Sequence, residues 1–376
     1  MKKHTLFILL ATLLLVLSCS GKQEAGNFST VKQEHVISNP FDIRKGINIA
    51  HWLSQSNRRG QERDQYLQEH EIKNLATLGF DHIRLPVDEA QLFTAEGELD
   101  TETVQLLHRA IGWCKKYHLR VIVDLHILHS HDFGNAIRPL WTSKEARDQF
   151  ENLWLQLNSE LRQYPNDLVA YELLNEPVAP DNEVWNELAN RVIRIIRAAA
   201  PQRVLFIGAN QYNNIDHLKQ LDIPAGDPNI VLSFHWYEPY PLTHYRASWT
   251  PFAHLHIPVI YPGVPVTSAD YARLEETDQW KLKPYQHIYS KETIKSQIQA
   301  AFHLARKRGL SLHCGEFGCL PAADAASRYR WYQDLVSIFT AFNIPYTAWE
   351  YKEIFGFSDR SGAIKDSTLL NILVQK

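Results

Sequence analysis

The sequence predicts an α/β fold, a (β/α)8 TIM barrel with an insertion subdomain after the sixth strand. Three observations carry this expectation. From residue 45 onward, short apolar runs alternate with amphipathic stretches, the pattern of a parallel sheet covered by helices. Eight such runs occur, at 46–50, 82–87, 120–125, 168–174, 204–208, 230–234, 312–317 and 345–350, and eight parallel strands with helices between them close into a barrel. The chain has 376 residues, which leaves room for one barrel of about 250 residues with additions.

The elements follow in order. Lys2 and Lys3 precede a nearly unbroken apolar run over 5–17, too short to span a bilayer comfortably. It ends in Val16-Leu17-Ser18-Cys19-Ser20, which resembles a bacterial lipobox. Residues 1–18 are therefore expected to be a signal peptide, and Cys19 a lipidated N-terminus anchored at the cell envelope, on the periplasmic face or the cell surface. Residues 20–40 are mostly polar and aperiodic, as in a tether, and 41–376 form the catalytic-sized domain. Within it, Val104, Leu107, Ile111 and Cys114 mark one helical face, and Ile294, Ile298, Ala301 and Ala305 another. Asp100-Thr101 and Ser143-Lys144 supply helix starts, Gly79 and Gly309 helix stops. The segment 236–290 is longer than one helix requires and rich in Pro, Tyr and Trp. It follows the sixth strand and should shape a cleft over the strands' C-terminal ends.

Apolar residues make up 45 % and charged residues 22 % of the chain, ordinary values for a globular protein. A net charge of -3 gives no basis for binding nucleic acid. Aromatics reach 11 %, which suits either a large core or a cleft lined with flat rings. Past Cys19 the cysteines are Cys114, Cys314 and Cys319, an odd set that reads as buried thiols.

Two motifs carry chemistry. Leu174-Asn175-Glu176-Pro177 and Cys314-Gly315-Glu316-Phe317-Gly318 each set a glutamate at the C-terminal end of an apolar run. In a (β/α)8 barrel that end faces the active site. Two carboxyl groups brought to one cleft are what cleavage of a glycosidic bond needs.

With these motifs the chain resembles glycoside hydrolase family 5, the cellulase family, and its endoglucanases in particular. The resemblance runs from Lys45-Gly46-Ile47-Asn48 to Trp349-Glu350-Tyr351-Lys352. It implies Glu176 as acid/base and Glu316 as nucleophile of a retaining enzyme. It further implies Asn175 on the sugar 2-hydroxyl, Arg84 beside the nucleophile and His126 on substrate. His235 and Tyr237 flank the carboxylates, and Trp349 is the ring under the cleaved sugar. The implied substrate is a β-linked polysaccharide or oligosaccharide, of β-1,4 glucan type. A β-mannanase is the enzymatic alternative, and an inactive glycan-binding lipoprotein is the alternative of another class. No cofactor, metal or nucleic acid is implied. A monomer is expected, touching the membrane through its lipid anchor alone.

Read singly, His235 also fits a satisfied core histidine, Arg84 a strand-end ion pair and Trp349 a core ring. Their joint occurrence at one barrel face favours the site. His129, His131 and Asp132 lie close together but match no metal-site spacing, and a cleft-lip role is expected for them. Trp52, Trp141, Trp236 and Trp249 are candidate sugar platforms. Glu172 is a candidate interior group, and Glu350 and Glu238 are runner-up carboxylates.

Overall fold

The computed structural model of the protein describes residues 39–375. The expected leader, Cys19 and most of the expected tether lie outside the described residues. From Lys45 the chain forms eight parallel strands in a closed barrel, paired in sequence order with β8 (Tyr346–Ala348) back against β1 (Lys45–Asn48). Between these two run β2 (His82–Val87), β3 (Arg120–Leu125), β4 (Val169–Glu172), β5 (Leu205–Gly208), β6 (Ile230–Trp236) and β7 (Ser311–Phe317). The (β/α)8 expectation holds. The strands are buried over almost their whole length, as a sheet with helices outside and side chains inside must be.

Helix boundaries follow local chemistry. Asp100 accepts a hydrogen bond from the backbone N–H of Thr103 and starts Thr101–Lys116; Ser143 does the same through Ala146 for Lys144–Leu161. Gly79 ends Glu69–Leu78 in the left-handed conformation that glycine adopts at little cost. Their apolar faces join one large core between helices and sheet, which includes Leu107, Ile111, Cys114, Ile294 and Ile298. Cys114, Cys314 and Cys319 are free and buried.

Inside the barrel, register and alternation decide what faces the axis. Gly46 pairs with His82, Asn48 with Arg84, Arg84 with Ile122, Asp124 with Glu172, Gly208 with Ser233 and Ser233 with His313. Residues two apart share a face, so these strands turn one continuous set of side chains inward. Toward the strands' N-terminal ends the set is apolar: Phe41 closes edge-on against Phe206, with Ile122, Ala170 and Val231. Toward the C-terminal ends it becomes ionic, with Arg84, Asp124 and Glu172 fully buried.

One irregularity reaches the site. The β6–β7 pairing slips between Phe234 and His235, so Phe234 faces Cys314 but His235 faces Glu316. Without this bulge, alternation from His313 would turn Gly315 inward and Glu316 outward. Gly315 fits because a Cβ there would lie 2.9 Å from Ser233 Oγ and 3.1 Å from His235 Nε2.

The segment between β6 and helix Lys291–Lys307 contains short helices Tyr240–Thr243, Ser268–Tyr271 and Glu276–Leu282, and an antiparallel bridge between Gly263 and Tyr289. Phe252, Leu255, Val259, Tyr261 and Val266 bury in the main core, so the segment shares that core.

Candidate active site

The site is built around Arg84, buried inside the barrel on β2. Its Nε and Nη2 donate to the two oxygens of Glu172 at 2.7 and 3.1 Å. Nη1 donates to Asn48 Oδ1 at 3.0 Å and Glu316 Oε1 at 2.7 Å, and Nη2 to Asn175 Oδ1 at 2.8 Å. Asp124 Oδ2 lies 3.0 Å from Nη2. Every N–H of the guanidinium is engaged.

Glu316 receives donors on both oxygens: Arg84 on Oε1 and the Tyr237 hydroxyl on Oε2, at 2.8 Å. Glu176 lies across from it. A carboxylate oxygen of each, with a ring nitrogen of His235, sits within 4.8 Å of the others. His235 Nδ1 is 2.8 Å from Glu176 Oε1 and 3.6 Å from Glu316 Oε2. These three could in principle ligate a cation. The Arg84 guanidinium already on Glu316 opposes a second positive charge there.

Glu176 takes a left-handed φ of 45°, a strained choice for a non-glycine residue. Its carbonyl accepts from His131 Nε2 at 3.1 Å. His131 in turn packs edge-on against Trp141. Trp349 stacks on His126, ring centroids 5.7 Å apart and planes 9° off parallel. Asp124 Oδ2 orients His126 through Nδ1 at 2.6 Å, and Gln55 Nε2 lies 3.4 Å from the other ring nitrogen.

Charge is crowded: Asp124, Glu172, Glu176 and Glu316 share one guanidinium. Burial is the largest influence on each carboxyl. It pushes Glu176 up to about 8, Arg84 opposing and Glu172 adding repulsion. It pushes Asp124 up to about 7 against the pull of Arg84. Glu172 and Glu316 are also raised, with His235 and Arg84 opposing at Glu316. Such coupled carboxyls titrate as a set. Geometry favours the charge on Glu316, whose oxygens both face donors, and on Glu172, gripped by the guanidinium fork. The proton is favoured on Glu176, the member of the pair with 18 % of its side chain exposed to the cleft. Burial pushes His235 down to about 4, so its imidazole is neutral.

The structure brings together Arg84, His126, Asn175, Glu176, His235, Tyr237, Glu316 and Trp349 at the C-terminal end of the barrel. Burial, more than repulsion by Glu316, raises Glu176, and burial outweighs Arg84 at Glu316. Three of the four candidate platforms are core rings: Trp52, Trp141 and Trp236 are buried, and Trp52 and Trp236 donate their N–H groups to the carbonyls of Arg63 and Glu238. Only Trp249, 57 % exposed, keeps an accessible face. Among the described residues His129, His131 and Asp132 form no group that could hold a metal ion; the His129 backbone N–H goes to Glu89, and Asp132 accepts the Gly134 N–H in its own turn. Glu350 is buried 3.2 Å from His51, and the Glu238 carboxylate takes the Tyr240 N–H and the Tyr289 hydroxyl in the insertion. Asn48, Asp124 and Asn213 take supporting places signalled only by position on or past a strand end, and His131, noted in the sequence beside His129 and Asp132, supports the Glu176 carbonyl.

A closed (β/α)8 barrel with paired glutamates, a buried arginine and an aromatic floor at its C-terminal mouth has the form of a glycoside hydrolase. The family model for cellulase (glycosyl hydrolase family 5) matches residues 46–353, and the chain belongs to that family. It is similar to Endoglucanase C of Acetivibrio thermocellus, 31 % identical over 342 residues, covering 89 % of this chain and 98 % of the relative. Cellodextrinase A of Ruminococcus flavefaciens is 30 % identical over 308 residues, 80 % of this chain and 83 % of the relative. Among solved structures, Thermotoga maritima Cel5A in complex with mannotriose superposes with a TM-score of 0.71 at 21 % identity, over 89 % of this chain and 98 % of that one. That likeness speaks for the fold.

Arg84→Met should strand three buried carboxylates. We expect a loss of about 3–5 kcal/mol, the usual cost of breaking a buried ion pair from one side, read as a lower denaturation midpoint in urea. A midpoint within error of wild type would contradict the role given to Arg84.

Proposed function

We propose that the protein is a retaining endo-β-glucanase acting on β-1,4 linkages in cellulose-like or mixed-linkage glucan. The observation that carries this reading is the approach of Glu176 and Glu316 to within 4.8 Å through their nearest ligand atoms. That spacing fits direct attack on the anomeric carbon, for which the two carboxyl groups stand about 5–5.5 Å apart, and leaves too little room for an intervening water. Family membership and the likeness to Endoglucanase C support the substrate class.

In the first step a Glu316 oxygen bonds the anomeric carbon as the glycosidic C–O bond breaks. Glu176 gives its proton to the departing oxygen. Arg84 and Tyr237 hold Glu316 in place. Esterification removes the Glu316 charge, which relieves repulsion on Glu176 and lowers its pKa, so it can take a proton from water in the second step. Water attacks the anomeric carbon, the ester C–O bond breaks and Glu316 is regenerated. Asn175, held by Arg84 at 2.8 Å, is placed for a hydrogen bond to the sugar 2-hydroxyl that strengthens as positive charge develops on the ring. The Trp349–His126 stack offers a flat wall for the sugar being cleaved. Beside Glu176, Tyr212 is 47 % exposed and lies 6.4 Å from Phe133, a surface suited to the leaving sugar.

We further propose that Cys19 carries the lipid that holds the enzyme on the bacterial cell envelope, on the strength of the lipobox-like sequence. Among the described residues no helix is long and apolar enough to cross a membrane.

A panel of soluble β-glucans and β-mannans, followed by viscosity and by NMR of the first anomer released, tests the reaction. A rapid viscosity drop on β-1,4-glucan with a β-anomer first is expected. An α-anomer first would defeat the retaining step, preference for mannan would move the substrate, and no turnover would leave a glycan-binding protein. Glu316→Gln should abolish turnover and keep glycan binding. Glu176→Ala should slow polymer cleavage by about 10²-fold or more while sparing aryl glycosides with activated leaving groups; equal losses would argue against the acid role. Because Glu176 works only while protonated, kcat/KM should fall as pH rises through about 8. Glu176→Ala should lose that alkaline limb on the aryl substrates. Cys19→Ala should move the protein from the membrane to the soluble fraction, and continued membrane partition would exclude the anchor.

A further inference from the structure

The turn after β5 holds three consecutive non-glycine residues in the left-handed region, Gln211, Tyr212 and Asn213, at φ 60°, 65° and 52°. Each such residue is strained, and a run of three persists only where the surroundings enforce it. They do so here. The Tyr212 N–H donates to Pro177 O at 3.2 Å, and the Asn210 side chain bonds both Ala179 N and Ala179 O. Asn214 bridges to His235. The turn is thus tied on one side to the loop carrying Glu176 and on the other to the strand carrying His235. The residue it delivers is Asn213, fully buried, with Nδ2 at 3.1 Å from His235 Nε2.

We infer that Asn213 is a positioning residue that fixes the tautomer of His235, and thereby keeps the transferable proton of Glu176 on the carboxyl oxygen turned away from His235. The inference rests on the hydrolase reading of Glu176. An amide NH2 only donates, so Nε2 must accept. A neutral imidazole then carries its proton on Nδ1 and donates it to Glu176 Oε1, 2.8 Å away. With Oε1 occupied as an acceptor, the acid's proton sits on Oε2. The opposite tautomer would make Nδ1 an acceptor and draw that proton onto Oε1, away from the leaving sugar.

The amide orientation has its own support. Asn213 Oδ1 points to a space without a donor, beside Gly208, where a Cβ would lie 1.9 Å away. Turning the amide over would leave two donors there unpaired in place of one acceptor, the costlier arrangement. The charged and titratable groups that face Glu176 and His235 are Arg84 on β2, Asp124, His126 and His131 on and past β3, Glu172 on β4, His313 and Glu316 on β7, and Tyr237 and Tyr240 beyond β6. None of them reaches Nε2 as an alternative donor in the hydrogen bonds of the described residues.

Asn213→Asp is the test, because a carboxylate of the same shape can only accept. In protein labelled with 15N-histidine, with the His235 signals assigned by a His235→Gln variant, wild type should show the proton on Nδ1 and N213D a proton on Nε2. N213D should lose at least tenfold in kcat on polymer and less than threefold on an activated aryl glycoside, with a displaced alkaline limb. A proton on Nε2 in wild type overturns the inference, whether or not N213D folds. So does a folded N213D with unchanged limb and unchanged substrate ratio. Wild type that carries Nδ1–H but turns over no glycan would instead sink the hydrolase reading, which keeps the two failures apart.

Discussion

One guanidinium organises this molecule's working end. Arg84 sits inside the barrel with Asp124, Glu172 and Glu316 on it and two asparagine oxygens beside them. Burying so many carboxyls is costly, and the cation is what makes it tolerable. It is also too little charge for all of them. Four carboxyls against one arginine cannot all ionise in a site so largely buried, so protons must be retained, and geometry distributes them. Glu172 is gripped by the fork and Glu316 has a donor on each oxygen. Asp124 Oδ1 has no partner, and Glu176 meets only a neutral histidine. The asymmetry that acid–base chemistry requires comes from unequal hydrogen bonding within one shared electrostatic site.

Two backbone departures deliver the groups to that arrangement. The bulge on β7 changes the parity of a strand that would otherwise aim a glycine inward, and it does so one residue before Glu316. The left-handed φ of Glu176 turns its strand's last residues over the mouth, where His131 holds the carbonyl. Both are local costs set against a rigid barrel, and both lie where pairing geometry ends and chemistry begins. The elements farther from the mouth show regular pairing, and the long helices start at side-chain caps.

The regular parts were legible because each follows from a single physical cause. Runs such as 82–87 and 120–125 keep one face wholly apolar, Ile83, Leu85 and Val87 in the first and Val121, Val123 and Leu125 in the second, and the strands His82–Val87 and Arg120–Leu125 occupy them end to end. Predicted 168–174 shortens to Val169–Glu172, and predicted 345–350 to Tyr346–Ala348, since hydrophobicity continues past the point where the backbone bends toward the site. The two glutamates were legible from their place at strand ends. What could not be read was anything set by two long-range conditions at once. Trp52, Trp141 and Trp236 resembled platforms in sequence, but a tryptophan in a loop is equally served by a core slot, and for Trp52 and Trp236 a carbonyl for its N–H completes that slot. Asn213 stands in no motif. Its place depends on a turn whose left-handed run contains no glycine, and on a glycine in the neighbouring strand that leaves space for its amide.

Burial also explains why this site does not need a charged histidine. Placing an imidazolium between Glu176 and Glu316 would neutralise the repulsion that helps keep the acid protonated, and would pull the pair toward two carboxylates. Desolvation holds His235 neutral, down to about 4, so the ring donates direction without donating charge. The same reasoning applies to His126, pushed down to about 4 by burial and by Arg84: it presents a neutral face to Trp349 and to any sugar laid against that stack. Arg84 donates directly to Glu316 and not to Glu176. In the proposed reaction, the side of the pair on which that guanidinium lies, more than the identity of either glutamate, decides which of the two attacks and which transfers the proton.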